Sequence, residues 1–173
     1  MAGANPKHRR AARVSIVQAL YQMDIANAPS KVVVREFQNH RFGFHDEPGM
    51  VQVDEAFFED VVEGVVASQN AIDTKISSLL PEKWPLRRLD LTLRSLLRAA
   101  AFEVMRRPDI PALVIINEYV SIAADFFDGK EPGMVNSILD KIAKEVRAAE
   151  FGLVGVAPAV TTDAPFQSTE KDA

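Results

Sequence analysis

The 173-residue chain has no cysteine, which excludes disulfides, thiolate-held zinc or iron–sulfur sites and a thiol nucleophile, and fits a reducing compartment. It also has no long apolar run. The longest, Ala112 to Ile116, falls far short of the ~20 residues that a membrane span requires. The opening Met-Ala-Gly-Ala-Asn-Pro lacks the apolar core of a signal peptide, so no export is expected and the chain reads as cytoplasmic, with no membrane partner. Basic charge is not in excess: 20 Lys and Arg face 24 Asp and Glu, a formal net charge of -4. That balance argues against a general nucleic-acid coat and confines any such binding to a local patch. The three histidines, His8, His40 and His45, have no metal-ligand spacing, and Gly129-Lys130 lacks the glycine-rich approach of a phosphate loop. No catalytic triad order, zinc-protease motif or acidic dyad is visible. The expectation is a protein with no catalytic residues, no metal and no cofactor.

What is present is helical periodicity, with a charge anomaly at its start. Lys7, Arg9, Arg10 and Arg13 put four of the twenty Lys and Arg at the opening of an amphipathic helix. The first turn of a helix carries unpaired N–H groups and about half a positive charge, so each cation there costs about 0.3–1 kcal/mol. An outside anion would reverse the sign. A phosphate chain fits, because the arginines offer forked donors and the N–H groups add to the same field; a solvated basic cap is the other reading. Ala12, Ile16, Ala19, Leu20 and Met23 form the apolar stripe of this helix, and Arg10, Arg13, Val17 and Tyr21 share a flank beside it.

Ala28-Pro29-Ser30 ends that helix, and residues 31–44 read as a second one, with Val32 to Val34 leaving a strand open. Residues 45–53 are a loop. Asp54 then caps a helix with acidic residues in its first turns and with Phe57, Phe58, Val61, Val62, Val65 and Val66 as its apolar residues. A further helix stops at Pro81, and Trp84-Pro85 starts the next, in which leucines and alanines recur at three and four among Arg87, Arg88, Arg94 and Arg98. Ala112 to Phe127 is apolar nearly all round and is expected to be the central buried helix. There Asn117 and Glu118 read as structural residues, with Arg98 as the partner of Glu118, since a buried carboxylate must be paired or neutral. Asp128 to Gly133 reads as a loop before a last amphipathic helix, Met134 to Arg147. Six or seven helices without a convincing hairpin predict a single-domain all-α bundle. The expected organisation is a flexible start over 1–6, a helical domain over 7–150 and a disordered tail over 151–173.

With these pieces in order, namely Val-Gln-Ala-Leu-Tyr at 17–21, the Arg-Ser-Leu-Leu-Arg-Ala-Ala-Ala-Phe-Glu-Val run at 94–104, Pro-Asp-Ile-Pro at 108–111, Ile-Asn-Glu at 116–118 and Val-Asn-Ser-Ile-Leu-Asp-Lys at 135–141, the chain resembles the NusB family over residues ~7–148. The resemblance implies a non-enzymatic, all-helical transcription antitermination factor. It implies binding to single-stranded boxA RNA of ribosomal RNA leaders together with NusE, a small-subunit ribosomal protein, in an RNA polymerase antitermination complex. By position, the family's basic start falls on Lys7, Arg9, Arg10 and Arg13, its RNA-contacting Tyr on Tyr21, and its RNA-facing loop on 128–134, with Lys130 and Met134. Met134 stands where the family usually has Phe, and Ser137 where it has Gly. Losing that Phe removes a base-stacking surface worth about 1–3 kcal/mol per base. Two other readings stand beside this one: a helical module that homodimerises through apolar faces, and the NusB-like part of a ribosomal RNA methyltransferase without its catalytic domain.

Overall fold

The computed structural model describes residues 4–42, 49 and 51–153, and these form seven α-helices with two short 3-10 turns and no strand. Helix α1 spans Pro6–Ala26, α2 Ser30–His40, α3 Glu55–Ala67, α4 Gln69–Leu79, α5 Leu91–Arg106, α6 Ala112–Phe126 and α7 Glu131–Val146; the turns are Leu86–Arg88 and Ala148–Phe151. The strand option at Val32 to Val34 gives way to helix, because Val33, Val34 and Phe37 together make one buried face. The tail beyond Leu153 lies outside the described residues, as do residues 1–3. Asn5 and Pro6, expected to be flexible, instead open α1: the Asn5 side chain accepts from the Lys7 and His8 N–H groups, and Pro6 occupies the first turn. Asp54 and Asp90 cap α3 and α5 in the same way, which fixes where those helices begin.

The bundle is built around α5, not α6. Eleven of its sixteen residues are buried, and it packs on α1, α3, α4, α6 and α7. Ala99, Ala100 and Ala101 are fully enclosed, and their small side chains let neighbours approach on every side. Helix α3 comes so close that a Cβ on Gly64 would lie 2.2 Å from the Phe102 ring. Helix α6, in contrast, buries Ile115, Ile116, Tyr119, Ile122 and Ala123 but leaves Leu113 58% exposed, with Val114 and Asn117 beside it. Apolar content alone did not distinguish a surrounded helix from one with an apolar outer face. The rings of Phe37, Phe42 and Phe58 join α2 to α3, with centroids 4.9–5.9 Å apart. At the far end, Arg147 reaches back beneath α5 and donates to the carbonyls of Glu103, Val104, Arg107 and Ile110, closing the turn between α5 and α6. No described helix is long and apolar enough to cross a membrane.

Candidate nucleic-acid interface

Capping by Asn5 places Lys7, Arg9 and Arg10 in the opening turns of α1, with Arg13 one turn further. The anion expected there is supplied in large part from within the molecule. Arg9 donates to Asp54 at 3.2 Å, and its guanidinium lies 4.5 Å from the centroid of the Phe57 ring. Arg10 donates to Asp125 at 2.9 Å and to the Glu118 carbonyl at 3.5 Å. Arg13 makes a two-pronged contact with Glu103, both bonds 2.9 Å, and Glu103 also accepts from the Tyr119 hydroxyl at 2.5 Å.

Arg13 is thus a core residue, and the phosphate contact expected of it is corrected. Its side chain is only 3% exposed and that of Glu103 is fully enclosed, so no outside anion can reach the guanidinium while the bundle is closed. Burial opposes the charge of Arg13, but the hydrogen bonds and the charge of Glu103 outweigh it and raise the guanidinium's pKa. Burial, reinforced by the Glu103 charge, pushes the Tyr119 hydroxyl well above its ordinary value and keeps it a donor. The partners that decide the matter come from residues 54, 103, 118 and 125, far from the helix whose field they complete. The pairing expected between Arg98 and Glu118 is likewise absent: Arg98 forks onto Asp73 at 2.8 and 2.9 Å and reaches Asp24, tying α5 to α4 and α1. Glu118 lies 3.8 Å from both Arg10 and Arg13.

The remaining candidates lie at the surface. Lys7 is exposed and has no salt-bridge partner among the described residues; with Arg10, Ala11 and Val51 it lines a shallow, mostly apolar cleft that ends at Glu118. Further along the same helix, Tyr21 is 40% exposed and lines a second cleft of about 380 Å³ with Val17, Ile25 and Phe126. Lys130 was expected in a loop and Met134 at the start of the last helix. The helix starts three residues earlier, at Glu131 with Lys130 as its N-cap, because Pro132 near the start presets the helical φ and needs no N–H partner. Met134 is half-buried and shares a groove with Lys130. Phe126, on the lining of the Tyr21 cleft, and Lys130, on that of the groove, are four residues apart, so at most about 14 Å separates their Cα atoms. Sequence reasoning passed over Trp84 and Lys141, which line the same groove; Trp84 was read only as the start of a helix.

Comparison with known proteins identifies the family and the fold. The model of the NusB family matches residues 10–144. The transcription antitermination protein NusB of Maricaulis maris is 49% identical over 144 residues, covering 83% of this chain and 90% of that relative. The solved structure of T. maritima NusB superposes with a TM-score of 0.70 at 28% identity, covering 87% of this chain and all of the other. A chain from the crystal structure of antitermination factors NusB and NusE in complex with dsRNA has the same fold, with a TM-score of 0.67 at 20% identity over 81% of this chain and 98% of that one.

Proposed function

The chain belongs to the NusB family of non-enzymatic transcription antitermination proteins, and on that premise we propose that it holds the boxA element of nascent ribosomal RNA leaders together with NusE, within an RNA polymerase antitermination complex. The observation that carries the reading is the accessible flank of α1, where Lys7, Arg10 and Tyr21 follow one another beside two clefts. Lys7 and the outer edges of Arg9 and Arg10 contact phosphates, Tyr21 receives a base, and Lys130 and Met134 take the strand further. Arg13 acts only indirectly, by fixing α1 against α5 and α6. A protein of this fold has been crystallised with NusE and RNA, which supports the choice of partners.

Few cations of the α1 flank are free to meet phosphates, so RNA binding by the protein alone is weak and salt-dependent, with a logarithmic slope of ~0.7 per phosphate neutralised on a single strand. NusE adds surface to the same RNA and tightens the complex, and the coupling is reciprocal. The test is fluorescence anisotropy on labelled boxA RNA and a scrambled control, with and without NusE, at two salt concentrations. Preference for boxA that grows with NusE is the expected result; equal binding of both RNAs under every condition refutes the reading.

A further inference from the structure

Between the α4–α5 connection and the start of α7 lies a groove of about 320 Å³ with an apolar floor of Pro81, Trp84, Met134 and Ile138 and with Lys130 and Lys141 on its lining. Trp84 is 39% exposed although it is the chain's only tryptophan. A large apolar ring left open to water is ordinarily covered by something. The charges around it are also unspent. Lys130 and Lys141, the two cations of its lining, are both exposed, and neither has a salt-bridge partner among the described residues. Carboxylates are close in sequence, at Glu82, Asp128 and Glu131, but none lines this groove. An aromatic floor between unpaired cations is the chemistry that takes single-stranded nucleic acid, whose bases stack on the ring while its phosphates meet the cations. The volume is at the low end for a ligand cleft, which suits one base better than the broad contact a protein partner needs.

We propose that this groove is a base-stacking subsite for single-stranded RNA, with one unpaired base against Trp84 and Met134 and the flanking phosphates at Lys130 and Lys141. The subsite rests on the RNA-binding reading above and deepens it: Trp84 brings an aromatic ring from another element to the groove that Met134 lines. Met134 lies against the same base through its polarisable thioether.

The single tryptophan makes the test direct. The intact protein is titrated with an unlabelled single-stranded boxA RNA oligonucleotide while Trp84 emission is followed, and binding of the same oligonucleotide, labelled, is measured by anisotropy. Emission is quenched in step with the anisotropy change. Trp84→Ala weakens binding about tenfold or more, Trp84→Phe retains most of the affinity, and Lys141→Gln lowers the salt slope by about 0.7. Circular dichroism verifies the fold of each variant, and the parent's quenching needs no variant at all. Undiminished emission at saturating RNA, together with unchanged affinity of Trp84→Ala, overturns the subsite while leaving the RNA-binding reading intact. Absence of any RNA binding at low salt overturns both. Quenching by NusE alone and not by RNA assigns the groove to the protein partner and overturns the subsite.

Discussion

Arg9, Arg10 and Arg13 on the opening helix are each held by a carboxylate from another helix or its cap, whereas the two lysines that line the Trp84 groove have none among the described residues. In sequence the first is a short basic run, while the lysines of the second stand eleven positions apart. The two regions differ in what their charge is used for. Arginine suits buried and bridging work because its planar fork matches a carboxylate at two points, and here it fastens α1 to α3, α5 and α6. The lysines at Lys130 and Lys141 stand on exposed stems and keep their charge for whatever approaches. Counting cations therefore overstates the interaction potential of the first region and understates that of the second.

The contrast is sharpest at Glu103. Glu103→Gln leaves the enclosed Arg13 without its counter-charge, and the expected loss is about 3–5 kcal/mol, measured by urea denaturation; an unchanged midpoint would break the distinction between fastening and free cations. A smaller effect, on binding and not on stability, is expected from Lys7→Gln combined with Arg10→Gln. RNA affinity falls and the salt slope drops by about 0.7 for each phosphate no longer neutralised, while the thermal midpoint stays near the parent's. Retained affinity and slope would remove α1 from the RNA surface. The smallest effect is expected at Asp125, whose side chain is 70% exposed. Asp125→Asn releases Arg10 from a surface pair worth no more than about 1 kcal/mol, so RNA binds a few-fold more tightly at low salt with stability unaltered. Weaker binding would show that the pair orients Arg10 instead of competing for it.

The helices and their starts were legible because their determinants are local. Asp54 announces α3 through a cap bond to a residue three positions on, and the spacing of Phe57, Phe58, Val61, Val62 and Val65 reports a buried face. The role of Arg13 was not legible, since its partner lies ninety positions away and only packing brings them together. The same holds for Arg98, whose partner Asp73 lies twenty-five positions away on α4. Periodicity also misplaced the centre of the bundle: α6 is the more apolar helix, but the alanines of α5 are what allow five neighbours to surround it. Tyr21, Lys130 and Met134 lie at the surface clefts, and RNA titration decides what they bind. The groove at Trp84 escaped notice because its lining comes from two segments some fifty residues apart in sequence.

Arg147 has a consequence for the order of events during synthesis. Its fork joins four backbone oxygens that lie some forty positions earlier, so the corner after α5 cannot be locked until translation has passed residue 147. Chains emerge at roughly 5–20 residues per second. For the seconds before Glu103 and Asp125 have followed, the growing polypeptide carries Arg13 and Arg10 without the carboxylates that later quench them. The newborn protein is accordingly more cationic at its leading end than the finished one.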